Sequence, residues 1–336
     1  MYLRNYWYAA TLSAEITDKP FARTICDEPI VFFRTESGAP AALEDRCAHR
    51  HAPLSLGKVR GDVIECGYHG WTFGCSGKCE TIPGQANVPP RARVKSYRVA
   101  DRWGWVWIWM GEAERADEAQ IPDLHWFGAP GWVYWHKYLH GKAGYQLFMD
   151  NLLDISHTVY LHPGTIGSPQ LPDQPLKVKV EGTTVSVERP NRNITPAPHI
   201  RRWGGFKGNI DALTEYSWEP PALIRLRTTR RDAENVLSYW LINPVTPETE
   251  RTSHFWFAWA SQKIDDPTFP QQTYKGIAEG VLLEDFPMIE AQQRTMDAVP
   301  GVPAVASNAD APIVAVHKVL DGLFAEQRAG GHKAAS

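Results

Sequence analysis

The feature that most constrains this chain is a pair of short motifs that each combine one cysteine with one histidine. The first reads C-A-H-R at residues 47–50, and the second reads C-G-Y-H-G-W at residues 66–71. Each motif offers one thiolate and one imidazole, so two loops can hold one metal cluster from opposite sides. The alternation differs from the common zinc patterns, in which cysteines pair with cysteines or two cysteines precede two histidines. The fold must therefore bring these two loops together.

In a Rieske [2Fe–2S] centre, two histidines replace two cysteines on one of the two irons. The motifs accordingly place Cys47 and Cys66 on one iron, and His49 and His69 on the other. Neutral imidazoles raise the reduction potential above that of a plant-type ferredoxin. Glycines at positions 67, 70 and 74 let backbone N–H groups approach the cluster sulfurs. The pattern predicts a one-electron Rieske cluster.

Length, charge and hydropathy exclude several classes of protein. The chain has 336 residues, enough for two domains with sizeable cores. Its net charge is -3 with acids and bases mixed, which argues against nucleic acid or an anionic membrane as a partner. The longest apolar run, near residues 103–110, is too short to span a bilayer. The first eight residues lack the features of a signal peptide, so we expect a cytoplasmic protein.

Residues 1–115 have the pattern of a small all-β domain. Short apolar runs alternate with turns that contain glycine or proline, which is typical of hairpins that carry metal ligands at their tips. Tryptophan occupies every second position from 103 to 109, which predicts a strand with all its indoles on one face. A polar segment at residues 112–118 marks the expected domain junction.

The second region, residues 116–330, mixes helical and strand patterns, so the predicted fold class is α+β. Alternating stretches at residues 176–188 and 223–259 predict an antiparallel sheet. Three segments have helical patterns: 150–161, 273–297 and 313–324. Pro287 is expected to end or kink the second of these helices. Residues 331–336 are small and polar, and we expect them to form a disordered tail.

A second group of metal-binding residue types lies in the second region. Asp154 precedes His157 by three residues, and His162 follows His157 by five. On a helix, Asp154 and His157 share a face, and His162 falls just beyond the helix end. Two histidines and one distant carboxylate form the facial triad of non-haem iron oxygenases, which leaves coordination positions open for dioxygen. The cluster supports this interpretation, because a one-electron carrier needs an acceptor.

The carboxylate of this triad must come from another segment. We predict Asp285, an acid that interrupts the apolar face of the helix over residues 282–293. Glu284 and Glu290 on the same helix are the alternatives. A solvated helical acid at position 285 agrees with the sequence equally well.

These motifs resemble those of the Rieske non-haem iron oxygenases. In that family the catalytic (α) subunit joins an N-terminal all-β Rieske domain to a C-terminal helix-grip catalytic domain, in which an antiparallel sheet wraps around a long helix. The resemblance covers nearly the whole chain. The opening N-Y-W-Y at residues 5–8 and the acidic helix at residues 284–293 look most like the branch that contains vanillate O-demethylase, dicamba O-demethylase and toluenesulfonate methyl-monooxygenase.

The resemblance implies a homotrimer in which the cluster of one subunit faces the iron of its neighbour. Asp154 would then bridge His69 of one chain and His157 of the next. A ligating histidine gives its second N–H to a carboxylate or a carbonyl, which is the physical basis for this bridge. The resemblance also implies that Asn151 lies close to the iron and that His254 faces the substrate.

The resulting hypothesis is a monooxygenase that removes a methyl group from a small methoxy-aromatic substrate. Its cofactors would be the [2Fe–2S] cluster and a mononuclear Fe(II). Electrons would come from NADH through a separate flavin and iron–sulfur reductase, or a ferredoxin, because the chain has no glycine-rich nucleotide loop. A benzoate-like substrate requires a cationic partner, and four arginines are available: Arg201, Arg202, Arg225 and Arg227.

Three other functions agree with the same residues. The two centres could hydroxylate a ring or methyl carbon, or remove an N-methyl group. An electron carrier of the Rieske ferredoxin type needs only the first domain, so the second region argues against it. A ligand-binding protein with a vestigial iron site would contain cluster iron but no mononuclear iron.

Overall fold

The computed structural model describes residues 1–163, 166, 175–262 and 268–333. The described chain forms two compact units. The first comprises Met1–Gly128 together with Thr246–Thr249, and the second comprises Ala129–Val245 and the chain from Glu250 onwards. The segment 112–118, which was expected to join the domains, contributes to two short 3₁₀ turns inside the first unit. The predicted boundary after residue 115 therefore falls within that unit.

The first unit consists of short β-strands in three antiparallel sheets. Its strands are β1 (Trp7–Leu12), β2 (Phe21–Ile25), β3 (Glu28–Arg34), β4 (Pro40–Glu44), β5 (Lys58–Arg60), β6 (Val63–Glu65), β7 (Thr72–Gly74), β8 (Cys79–Thr81), β9 (Ser96–Tyr97), β10 (Val99–Arg102) and β11 (Trp105–Trp109). The sheet orders are β1-β11-β10, β2-β3-β4-β9 and β5-β6-β7-β8. The motif at residues 66–71 connects β6 to β7, and the motif at residues 47–50 lies between β4 and β5.

One apolar core of the first unit lies at the two ligand motifs. Phe33 of β3, Ile64 of β6 and Phe73 of β7 are fully buried and belong to one cluster. Cys47 and Cys66 are members of the same cluster. Burial of apolar surface is the main favourable term in folding, so the strands that build this core also fix the positions of the two thiols.

Strand β11 confirms the predicted strand and changes one detail of it. The strand begins at Trp105, because Trp103 lies in the preceding turn with a φ of 61°. The indoles of the strand share one face, as the alternation requires. The opposite face is buried as well, since Val106 and Ile108 are fully inaccessible. The strand is the middle strand of its sheet, and both of its faces are buried.

The second unit is built on a seven-stranded antiparallel sheet, which confirms the predicted α+β class. Its strands are β12 (Trp132–Gly141), β13 (Lys177–Glu181), β14 (Thr184–Ile194), β15 (Ile210–Glu219), β16 (Leu223–Arg231), β17 (Val236–Thr249) and β18 (Thr252–Gln262), in the order β12-β18-β17-β16-β15-β14-β13. Its helices are α1 (Tyr145–Leu153), α2 (Thr158–Leu161), α3 (Pro198–Gly204), α4 (Phe269–Thr273), α5 (Leu282–Ala298) and α6 (Ala311–Lys333). A π-helical segment, Tyr274–Val281, joins α4 to α5. No helix of the described residues is both long and apolar enough to cross a bilayer.

Helix boundaries differ from the sequence predictions in three places. The helix expected over residues 150–161 is interrupted at Asp154, which has extended backbone angles. Of the two outcomes expected at Pro287, an end or a kink, the helix end is wrong, because α5 continues through this residue. Helix α6 extends to Lys333, into the segment predicted to be a disordered tail. The remaining tail residues, 334–336, lie outside the described residues.

Candidate metal centres and cavity

The two cysteine-histidine motifs form the same turn twice. The carbonyl of Cys47 accepts from the N–H of His51 at 3.0 Å, and the carbonyl of Cys66 accepts from the N–H of Gly70, also at 3.0 Å. In both loops the cysteine N–H donates to the carbonyl five residues later. The residue that closes each turn is left-handed, with a φ of 58° at His51 and 69° at Gly70. The sequence therefore builds two equivalent ligand loops.

Glycines allow the two loops to touch through their main chains. A Cβ placed on Gly57 would lie 2.0 Å from the carbonyl oxygen of Glu65, the residue before Cys66. A Cβ on Gly67 would lie 2.7 Å from the carbonyl oxygen of Leu56. No side chain fits at either position without displacement of the backbone. The role of these glycines is thus the approach of one loop to the other.

The donor atoms of the two loops suit a Rieske cluster. The Cys47 and Cys66 thiols are buried side by side, and burial, with a further contribution from Cys66, raises the pKa of Cys47. The rings of His49 and His69 lie with centroids 4.6 Å apart. Nδ1 of His49 is buried and has no hydrogen-bond partner among the described residues. Two adjacent sulfurs, two adjacent imidazoles and a buried ring nitrogen without a partner match the ligand set of a [2Fe–2S] cluster with two histidines on one iron.

The second candidate centre is assembled from two segments of the second unit. The carboxylate of Asp154 accepts from the N–H of Ser156 at 2.9 Å and so starts a new 3₁₀ turn that ends at His157. Helix α2 follows, and His162 comes directly after it. Nε2 of His157 lies 3.4 Å and Nε2 of His162 lies 3.0 Å from Oδ1 of Asp285 on α5. Ligand atoms of these three residues all lie within 4.8 Å of one another, which suits a single metal ion.

The three acids considered for this centre occupy different positions. Asp285 is buried and faces Nε2 of both histidines. Glu284 instead lies 2.5 Å from Nδ1 of His162, on the far side of that ring. Glu290 accepts from the main-chain N–H of Lys142 at 3.0 Å. Asp285 is thus the acid that the structure groups with the histidines.

Contacts within the centre keep Asp285 ionised and oriented. Burial raises the pKa of the Asp285 carboxyl, but hydrogen bonds from His157 and His162 outweigh burial and lower the pKa to about 2. Nδ2 of Asn151 donates to Oδ1 of Asp285 at 3.2 Å, so Asn151 belongs to the site. Nδ1 of His157 lies 2.5 Å from the main-chain carbonyl of Asp154. Within one chain, therefore, His157 contacts the main-chain carbonyl of Asp154 and not its carboxylate.

A cavity of about 210 Å³ opens onto this centre. All three residues of the triad line it, together with apolar side chains of α1, α5 and the sheet. On β16 the lining residues are Ile224, Leu226, Thr228 and Arg230, every second residue of the strand. This alternation is the normal geometry of a strand with one face toward a cavity.

The same alternation corrects the predicted role of His254. Phe255 and Phe257 of β18 line the cavity, whereas His254 does not. Because successive side chains of a strand point to opposite faces, His254 lies on the other side of the sheet. There it is buried, with Nδ1 2.9 Å from the hydroxyl of Tyr138 and its ring 5.8 Å from that of His140. The inference that His254 faces the substrate is therefore wrong for this chain.

The four arginines considered for the substrate are also absent from the cavity wall. Arg225 and Arg227 lie on the face of β16 opposite the lining residues, and Arg225 forms an ion pair with Glu219. Among the residues that the structure describes, Arg230 is the arginine that lines the cavity. Arg230 was not among the arginines predicted for the substrate, although it shares the even-numbered positions of β16 with the apolar residues Ile224 and Leu226.

Comparisons with known proteins agree with both centres. Residues 6–98 match the Rieske [2Fe-2S] domain, and residues 142–326 match the vanillate O-demethylase oxygenase C-terminal domain. The second match alone covers more than half of the chain. This chain belongs to the Rieske non-haem iron oxygenases.

Relatives with curated descriptions align with this oxygenase over nearly its full length. A putative toluene-4-sulfonate monooxygenase system iron-sulfur subunit from Comamonas testosteroni is 38% identical, with 98% of this chain and 99% of the relative covered. A vanillate O-demethylase oxygenase subunit from Pseudomonas sp. strain HR199 is 35% identical, with 98% and 96% covered. These relatives are subunits of larger systems, so a separate reductase or ferredoxin supplies the electrons.

Solved structures share the fold of this oxygenase. Dicamba monooxygenase bound to 3,6-dichlorosalicylic acid superposes with a TM-score of 0.90 and is 28% identical, over 97% of this chain and 98% of that chain. The same enzyme with non-heme iron and dicamba gives a TM-score of 0.83 at 27% identity over the same shares of both chains. The chain is therefore an oxidoreductase whose cofactors are a Rieske [2Fe–2S] cluster and a mononuclear non-haem iron.

Proposed function

We propose that this oxygenase removes the methyl group from a small methoxy-aromatic compound. The observation that carries the proposal is the cavity, because its wall joins the iron-binding triad to apolar side chains of the sheet. A volume of about 210 Å³ favours one substituted ring over a larger ligand such as a sterol. The vanillate and dicamba relatives are both named as O-demethylase oxygenase proteins, which supports the same reaction here.

In this proposal Cys47, His49, Cys66 and His69 hold the cluster, and His157, His162 and Asp285 hold the iron. The bound metals supply single electrons and activate dioxygen, and the protein supplies geometry. Asn151 fixes the carboxylate of Asp285 through its amide hydrogen bond. The apolar lining holds the ring and keeps bulk water from the site. Hydroxylation of the methoxy carbon gives a hemiacetal, which collapses to a phenol and formaldehyde.

The proposal includes the partners and assembly expected from the family. An NADH-dependent flavin and iron–sulfur reductase delivers the electrons, since a separate electron donor is required. A homotrimer would let Asp154 connect His69 of one chain with His157 of the next. Asp154 is only half-buried within the chain, which leaves its carboxylate available for a contact with His69 of a neighbouring chain, while its main-chain carbonyl contacts His157. The three cysteines outside the cluster motifs, Cys26, Cys75 and Cys79, form no disulfide, as in a reducing compartment, and this supports a cytoplasmic location.

Formaldehyde release tests the proposed reaction. The reconstituted enzyme, with a compatible reductase, is assayed against methoxylated benzoates and their non-methoxylated counterparts. We expect one formaldehyde and one phenol for each dioxygen consumed. His162→Ala should abolish turnover while the visible and EPR signals of the cluster persist. Two irons per protomer instead of three, or loss of the cluster signals in His162→Ala, would contradict the assigned centres.

Hydroxylation of a methyl carbon is the second candidate. The observation that favours it is the 38% identity to a protein named for toluene-4-sulfonate. Removal of an N-alkyl group is supported more weakly, by a 30% identical chloroacetanilide N-alkylformylase oxygenase component. Labelled dioxygen distinguishes methyl hydroxylation from demethylation. Methyl hydroxylation retains the label in a benzylic alcohol and releases no formaldehyde, whereas demethylation releases formaldehyde.

A further inference from the structure

Polar side chains collect at one end of the cavity, on two adjacent rows across the sheet. In the first row, Asn191 of β14 pairs with Ala212 of β15, which pairs with Arg230 of β16. In the neighbouring row, Thr228 of β16 pairs with Tyr239 of β17. All five of these residues line the cavity. Because side chains two apart on a strand share a face, the four polar groups converge on one region of the wall.

Arg230 brings a positive charge to this region without a matching negative charge. Its Nη1 donates to the hydroxyl oxygen of Tyr239 at 2.6 Å, and its Cζ lies 5.2 Å from the centroid of the same ring. Within the described residues the guanidinium forms no ion pair with a carboxylate. Tyr239 is buried and therefore fixes the guanidinium against the wall. A guanidinium offers five N–H donors, most of which remain for a ligand.

Two further groups in this region have unused hydrogen-bonding capacity. The hydroxyl oxygen of Thr228 and the side-chain oxygen of Asn191 are buried, and neither has a partner among the described residues. Buried polar atoms without partners are rare, because their desolvation is not compensated. The Thr228 hydroxyl could donate a hydrogen bond to an oxygen atom of a ligand. The Asn191 amide could either donate from its NH₂ group to the ligand or accept through its oxygen.

The polar region lies away from the metal along the strand. Leu226 of β16 pairs with Tyr216, whose hydroxyl donates at 2.9 Å to the carbonyl of Leu153, at the end of α1 beside the iron-binding turn. Arg230 is four residues farther along β16, or roughly 13 Å at 3.3 Å per residue. The arginine side chain reaches back over part of this distance. The space between is bordered by apolar residues such as Leu226 and Leu241.

We infer that Arg230, supported by Tyr239, Thr228 and Asn191, forms an anion-binding subsite that selects aromatic acids as substrates. The inference rests on the proposed demethylation and names its substrate class: a ring with a carboxylate or sulfonate on one side and the methyl-bearing group on the other. The anion contacts the guanidinium, the ring lies between the apolar side chains, and the methyl group points toward the triad. Arg230 thereby acts as a specificity residue, and Tyr239 positions it.

The test compares Arg230→Leu with Arg227→Leu in the reconstituted holoenzyme. Arg227 is the matched control, because it lies on the same strand with its side chain exposed on the opposite face. The probes are 4-methoxybenzoate, 4-methoxybenzenesulfonate and the uncharged 4-methoxybenzamide, each measured by calorimetric binding and by KM and kcat. Loss of a charge-assisted contact predicts a roughly 10- to 100-fold weaker binding of the two anions by Arg230→Leu. Binding of the amide should stay within about twofold of its wild-type value, given that its contacts with the apolar wall are unchanged.

Arg230→Lys should recover part of the anion affinity, since it keeps the charge but loses the planar fork. A preference for only one anion in the wild type would identify the geometry, carboxylate or sulfonate, that the subsite fits. Equal losses for anions and amide, or equal effects of Arg227→Leu, would overturn the inference while demethylation stands. Arg230-dependent anion binding without formaldehyde release would instead reject the proposed reaction and leave the subsite intact.

Discussion

The contact between Glu284 and His162 makes a sharp prediction about iron affinity. Oε2 of Glu284 lies 2.5 Å from Nδ1 of His162, whose other nitrogen faces Asp285. A carboxylate on the second nitrogen of a ligating histidine fixes its ring orientation and raises its basicity. Removal of such a partner weakens metal binding by roughly 10- to 100-fold. Because the Glu284 side chain is 41% exposed, we expect Glu284→Ala to fall near the lower limit, about tenfold or 1.4 kcal/mol.

The assay is competition for Fe(II) between the enzyme and a chelator of known affinity. Glu284→Gln, which keeps an acceptor oxygen without the charge, should lie between wild type and Glu284→Ala. Glu279→Ala is the matched control, an exposed acid in the preceding helical segment. The visible and EPR signals of the cluster report on the first unit and should not change. Unaltered iron affinity in Glu284→Ala, or an equal loss in Glu279→Ala, would refute this account of the contact.

Three other substitutions test features of the fold. Gly57→Ala should abolish the cluster signals but leave mononuclear iron in place, because its Cβ would lie 2.0 Å from the carbonyl oxygen of Glu65. Gly322→Ala, at an exposed position of α6, should stabilise the protein by about 0.5–1 kcal/mol in denaturant unfolding, since no neighbour lies within 4 Å of the added Cβ. The hydrogen bond that Nε2 of His317 donates to the Asp150 carboxylate raises the pKa of His317, although burial opposes it. His317→Gln should therefore destabilise the protein below about pH 6 and have progressively less effect as the pH rises through the raised pKa, where the wild-type histidine loses its proton. A stability difference that grows with pH would contradict this sign.

The cluster site could be predicted from the sequence because its ligands are close together in the chain. Four donors within two short loops leave few arrangements, and the spacing already distinguishes a Rieske centre from zinc. The structure adds what spacing cannot show, namely the main-chain contact at Gly57 and Gly67 that brings the loops together. That contact depends on the path of the chain between the motifs.

The iron centre and the cavity were harder to predict, because they depend on long-range packing. Asp285 and Glu284 are adjacent in sequence, and only the placement of α5 against His162 decides which nitrogen each acid faces. His254 was misplaced since family resemblance gave a position but not the direction of its side chain. Arg230 was overlooked because alternation along β16 shows which side chains share a face, but not which of the two faces borders the cavity.

Helices and sheet contribute different parts of the site, and this division has a consequence for how enzymes of this kind diversify. The iron-binding side chains come from helices and the turns beside them, whereas the polar end of the cavity comes from alternate residues of neighbouring strands. Exchange of an inward strand residue can therefore alter which compound is accepted without disturbing oxygen chemistry. Libraries restricted to positions such as 212, 228, 230 and 239 should yield active catalysts with new preferences far more often than libraries spread over α1 and α5.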